Sequence, residues 1–340
     1  MNGLKNKMVF LSLAMILIVS LCLSSCGNSS RSDQEKKKGE EIQTGQEKGT
    51  EKTKRSRKGA TEETTGAEGG RTKKKENAPE ATTQKAAVRK DRLISWDPDW
   101  KYADYSEIHS SDVRLYFSHS KNRKNKVIAV NAGHGTSGGD SVSTLSHPDG
   151  TGKVTGGTNN EGQKYSIAVS SGMTFNDGTP EAAANLSLAR ILKKKLLEEG
   201  YDVLMIREDS DVRLDNIART VFANNNADVH IALHYDSTES DKGVFYISVP
   251  DISSYRNMEP VASHWKEHEN LGKALAGGIE DEGISLFGGG SLALDLTQTS
   301  YSTIPSVDLE VGDAASDHSE RTQGRIADGI VRGLNILFEK

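Results

Sequence analysis

Beyond residue 26 the chain has no cysteine. Its two, Cys22 and Cys26, both fall in the N-terminal apolar segment. If cleavage falls before Cys26, the mature chain keeps one thiol and can form no internal disulfide. Aromatic residues are absent from Gly27 to Arg92, where Ile42 and Val88 are almost the only large apolar side chains. Such a stretch cannot bury enough surface to offset its chain entropy, which excludes a folded unit there. A basic surplus is missing from the remainder. The whole chain carries −5, Lys5 and Lys7 contribute +2, and residues 27–95 hold 18 Lys and Arg against 12 Asp and Glu. Residues 96–340 are therefore left with −13, which argues against nucleic-acid binding. No internal repeat is present.

What the N-terminus does contain is a tripartite export pattern. Lys5 and Lys7 precede an apolar run from Met8 to Leu23, closed by Leu23-Ser24-Ser25-Cys26. A basic start, a short apolar core and small residues at its end predict a secretory signal over residues 1–25. The run is short for a transmembrane anchor. LSSC resembles a bacterial lipobox, which implies that Cys26 is lipidated and becomes the mature N-terminus. The two acyl chains of such an anchor suffice for stable membrane attachment. Residues 26–92 follow as a disordered, charged tether, with a span of about 45 Å for a chain of Gly/Ser type. Residues 93–340 make one domain by length, with Trp96, Trp100, Tyr102 and Tyr105 where folding can begin.

Within that domain the hydrophobic pattern predicts strands near 113–117, 126–131, 202–207, 229–234, 243–249 and 306–311. The clearest helix starts with Thr179 as N-cap and Pro180 at the first helical position. It carries Leu188, Leu192 and Leu196 at helical spacing and ends at Gly200. Further helices are predicted near 214–224, 263–279 and 320–338, and FGGGS (287–291) as a flexible loop. Residues 136–179 lack clear periodicity, and their composition predicts a mobile segment lying over the site. Strands alternating with helices define the fold class: α/β, one domain, a twisted and mostly parallel sheet with helices on both faces.

Four residues stand where such a sheet delivers chemistry. His134 follows the apolar run Val127-Ile128-Ala129-Val130, His234 closes ADVHIALH, and Glu310 lies in SVDLEVGD. Open α/β sheets bind ligands beyond the carboxyl ends of their strands, so these three point to one crevice. Glu181, at a helix start, completes the set. Two histidines and a carboxylate with an open position form a known catalytic zinc arrangement. The glycines flanking His134 would let a ligand approach closely. His230 shares a strand face with His234 but lies deeper, in the core. His119 and His147 read as surface residues. Asp308 shares the face of Glu310 and is the nearest rival for its role.

The stretches VIAVNAGHG, PEAAANLSLARILKKKLLEEGYDVLMIR, LDNIARTVFANNNADVHIALHYDS and PSVDLEVGD resemble the zinc-dependent N-acetylmuramoyl-L-alanine amidases of bacterial cell walls. The resemblance covers about Lys126 to Leu337. It implies zinc ligands at His134, Glu181 and His234, a catalytic glutamate at Glu310, and framework positions at Arg207, Arg219 and Asn224. Departures are the long segment between His134 and Glu181, Tyr235-Asp236-Ser237 after the second histidine, and Asp313 where an aromatic is usual. The implied reaction is metal-assisted hydrolysis of the amide joining N-acetylmuramic acid to L-alanine. Alternatives are a zinc peptidase cutting within the stem peptide and a wall-binding lipoprotein without turnover. The implied partners are peptidoglycan and, through Cys26, the membrane, with no nucleic acid. The expected state is a monomer, outside the cytoplasmic membrane of a bacterium, and the long tether suits a Gram-positive surface.

Overall fold

The computed structural model describes residues 89–339. The predicted signal, Cys26 and nearly all of the tether lie outside the described residues.

Ten strands and six helices follow in chain order. β1 is Arg92–Ile94, β2 Val113–Tyr116, β3 Val127–Ala132, β4 Ser143–Leu145 and β5 Tyr165–Ile167. α1 is Glu181–Glu199, β6 Asp202–Met205, α2 Asn216–Asn226, β7 Val229–Asp236 and β8 Val244–Ser248. α3 is Ser253–Arg256, α4 Val261–Asp281, β9 Leu286–Ala293, α5 Thr297–Tyr301, β10 Ser306–Asp313 and α6 Glu320–Phe338. Eight strands form one sheet in the order β1-β2-β6-β3-β7-β10-β8-β9. The centre, β6-β3-β7-β10, is parallel, as is the β8–β9 edge. The β1–β2, β2–β6 and β10–β8 pairs are antiparallel. The sheet is thus mixed, with parallel pairing where the site lies.

Helices cover both faces. Leu188, Leu192 and Leu196 of α1, Leu271 and Leu275 of α4, and Ile330 and Leu334 of α6 share one core with Ile128, Val130, Ile231 and Leu309. Ala218 and Phe222 of α2 pack on the other face with Ala129 and Leu204. Fully burying a leucine stabilises by about 1.5–3 kcal/mol, so the i, i+4 leucines of α1 account for why this helix stays docked. No helix among the described residues is long and apolar enough to cross a membrane.

Three local expectations need correction. FGGGS is part of β9, whose pairing with β8 shifts register between Val244 and Tyr246. Gly288, Gly289 and Gly290 all take positive φ there, making a bulge in an edge strand that other residues would resist. Thr179 does not cap α1: Pro180 holds the N-cap position, and no side-chain cap bond forms. Residues 136–179 are not a loose excursion. They contain the β4–β5 hairpin and bury Thr144, Ser146, His147, Lys153, Ser166, Ala168 and Val169.

Candidate metal centre

The carboxyl ends of β3, β7 and β10 lie side by side. Ala132 stands opposite Leu233, and His234 opposite Glu310. His134 comes two residues after β3 and takes a left-handed backbone, φ +62, a conformation uncommon for a residue with a Cβ. Buried Arg219 of α2 secures this kink. Its guanidinium donates to the carbonyls of Ala132 (3.1 Å) and His134 (2.7 Å). Arg207, just past β6, donates to the carbonyls of Ala132, Gly133 and Ala182. The two arginines therefore clamp the backbone that presents His134. Asn224 ties α2 to the end of α5 and the loop that follows, through the Tyr301 carbonyl and the Thr303 amide.

Glu181 opens α1 and is 2% exposed. Its Oε2 accepts from the Met173 amide at 2.9 Å. Its Oε1 accepts from the Tyr235 amide and from Asn185 Nδ2, both at 3.1 Å. Three donor atoms then converge. His134 Nε2 lies 2.9 Å from Glu181 Oε1, His234 Nδ1 lies 3.2 Å from the same oxygen, and the two ring nitrogens are 3.0 Å apart. Among the described residues this is the one cluster of three or more His, Cys, Asp or Glu able to hold a metal ion. His134 Nδ1 faces the Ser170 carbonyl at 2.8 Å, which places a proton on Nδ1 and leaves the Nε2 lone pair free.

Charge in the cluster is strongly polarised. Burial alone would raise the Glu181 pKa, but hydrogen bonds and charge from both histidines hold it far below the usual carboxylate range. Burial disfavours a charged His234, yet Asp308, Glu181 and Glu310 outweigh it and lift the ring to about 10. Burial, then the charge of Asp308, pushes Glu310 well above the ordinary value. Glu310 is half-buried, and its Oε2 has no hydrogen-bond partner.

The structure thus brings His134, Glu181 and His234 together and sets Glu310 beside His234 on the same sheet face. His230 is fully buried, and burial pushes it down to about 3. His119 is exposed, whereas His147, read as a surface residue, is 1% exposed and bonded to Asp295 Oδ2 at 2.8 Å. The glycines around His134 serve a different purpose from the one expected. A Cβ on Gly133 would come within 2.6 Å of His234 Nδ1, and one on Gly135 within 2.9 Å of the Arg207 guanidinium. The space they leave is filled by protein, not ligand. Gly172, also at positive φ, likewise makes room for His134 and Glu181. Ser170, Gly172 and Asn185 carry no motif of their own. Only Asn185 had a sequence signal, its i+4 spacing from Glu181. Asp313 is fully buried and accepts from the amides of Lys242 and Ala315, so this departure shapes a turn.

An α/β sheet edge carrying such a cluster beside an unpartnered glutamate has the make-up of a metal-assisted hydrolase. A family model for N-acetylmuramoyl-L-alanine amidase matches residues 128–335, and the chain belongs to that family. It is a peptidoglycan hydrolase of the bacterial cell wall, cleaving the amide between N-acetylmuramic acid and L-alanine. No curated protein matches the sequence. Similar solved structures include the amidase Ami1 of Mycobacterium smegmatis, at 19% identity and TM-score 0.47, covering 64% of this chain and 99% of that one. The amidase of Clostridium difficile 630 is 16% identical, with TM-score 0.44, covering 63% and 97%. AmiC2 of Nostoc punctiforme is 15% identical, with TM-score 0.44, covering 64% and 100%.

Proposed function

We propose that the amidase works with one zinc ion held by His134 Nε2, Glu181 Oε1 and His234 Nδ1, and with Glu310 as proton carrier. The convergence of three donor atoms within 3.2 Å carries this reading. The donor set fits. Tetrahedral zinc with ligands at about 2.0–2.2 Å needs neighbours a little over 3 Å apart, and two imidazoles with one carboxylate leave a fourth position open. Both Glu181 and His134 are already oriented by backbone groups, so little reorganisation is required. Bound zinc would acidify a water and polarise the scissile carbonyl.

The chain's own residues do the rest. Glu310, on the strand neighbouring His234, takes the proton from the attacking water on its carboxylate. It then delivers that proton to the leaving nitrogen of L-alanine. The missing partner at Oε2 leaves this carboxylate free to do so. Arg207 and Arg219 hold the backbone that aims His134. We place the enzyme outside the cytoplasmic membrane, anchored through lipid on Cys26, on a Gram-positive surface and as a monomer.

Two measurements test the proposal together. The purified protein should contain one zinc per chain, and digested peptidoglycan should show new L-alanine amino termini by mass spectrometry. Cuts within the stem peptide would mark a peptidase, and no new ends a wall-binding protein.

A further inference from the structure

We propose that Asp308 is a positioning residue for His234: it accepts the Nε2 proton and so directs the Nδ1 lone pair toward the metal site. The inference rests on the zinc reading above. Asp308 sits on β10 two residues before Glu310, on the same face, between Val307 and Leu309, both fully buried. A carboxylate set between core residues is costly unless it has a partner. Its Oδ1 is buried without any hydrogen-bond partner, and its Oδ2 lies 3.7 Å from His234 Nε2. At 3.7 Å this contact is an ion pair and not a hydrogen bond, and the proposed role has it shorten to one.

The geometry of the ring makes the assignment specific. His234 Nδ1 faces His134 and Glu181, so a neutral ring that offers Nδ1 to a cation must carry its proton on Nε2. Asp308 is the carboxylate on that side. The two histidines are then held by different acceptors, a neutral carbonyl (Ser170) for His134 and an anion for His234. An anionic acceptor raises the basicity of its imidazole more than a carbonyl does, and it also fixes the ring's orientation. This separates Asp308 from Glu310. One acts on the ligand from behind, while the other faces the reacting atoms.

Zinc affinity of the full-length protein, measured by competition with a chromogenic chelator, tests the role. Asp308→Asn keeps the shape and loses the charge; Asp308→Leu loses both. Affinity should fall about 10–100-fold, the range typical of such outer partners, with Leu the worse and Asp308→Glu partly restored. Thermal melts of the metal-free proteins identify any variant that fails to fold, and the isosteric Asn then decides. Wild-type affinity in Asp308→Asn and Asp308→Leu, with zinc bound to the wild type, overturns the inference alone. Wild-type affinity with lost turnover overturns it too and moves Asp308 to the reacting atoms. No zinc in the wild type overturns this inference and the zinc reading together.

Discussion

A methyl group at residue 133 would occupy the space of the His234 ring, whose Cε1, Nε2 and Nδ1 would all lie far inside van der Waals contact with it. Gly133→Ala should therefore push His234 off the cluster. Zinc affinity should fall at least about tenfold, by the measure of other disturbed outer contacts, while far-UV circular dichroism stays unchanged. Normal zinc affinity in that variant would mean the ring has other room. Glu310→Gln separates proton transfer from metal binding. The amide cannot take up the proton, so turnover should drop about 10²–10⁴-fold with zinc retained. Near-normal rates would assign the role elsewhere. At this scale the candidate residues were legible because each of His134, His234 and Glu310 interrupts or closes an apolar strand pattern. Their supports were not legible. Ser170 and Met173 act through backbone groups, and a backbone carbonyl leaves no mark in the sequence.

A buried side chain just past β9, Asp295, helps to fasten the segment between His134 and Glu181. His147 Nε2 lies 2.8 Å from its Oδ2, the Val154 amide donates to the same oxygen at 2.7 Å, and Lys153 Nζ pairs with its Oδ1 at 3.3 Å. Thr155 Oγ1 accepts from the Asp295 amide. Burial pushes the Asp295 pKa up, but the His147 hydrogen bond and the charges of Lys153 and His147 outweigh it and leave it lowered. A lowered carboxylate stabilises the fold fully above its unfolded value of about 4 and loses that contribution as pH falls through the folded one. The melting temperature should thus decline below about pH 4 in the wild type and decline less steeply in Asp295→Asn. Asp295→Leu leaves Lys153 buried and uncompensated, at a cost of about 3–5 kcal/mol. A melting temperature equal to wild type in Asp295→Leu would show that the segment is held by other contacts. Long periodic elements such as α1, α4 and α6 were readable from the leucine and isoleucine spacing. The β4–β5 hairpin and β9 were not, because three-residue strands are too short for a period, and three glycines mimic a loop.

Across the whole chain, charge divides at the domain boundary, with a surplus of Lys and Arg before residue 96 and a net −13 after it. An acidic domain has no electrostatic reason to dwell at an anionic membrane, so the proposed attachment would fall to the N-terminus. Basic residues close to such a surface contribute about 1 kcal/mol each, but the 12 acidic residues among the 18 basic ones dilute that attraction. It is also screened by salt beyond about 10 Å at 0.1 M. Two acyl chains on Cys26 would instead hold regardless of salt. The Cys26→Ala protein should therefore leave the membrane fraction, and 1 M salt should not release the wild type. Labelled fatty acid should enter the wild type alone. Zinc content and peptidoglycan cleavage should be unchanged, since the residues of the proposed metal site and its supports all lie between Ala132 and Glu310. Retention of Cys26→Ala in membranes at 1 M salt would point to an uncleaved apolar segment, Met8–Leu23, as the anchor.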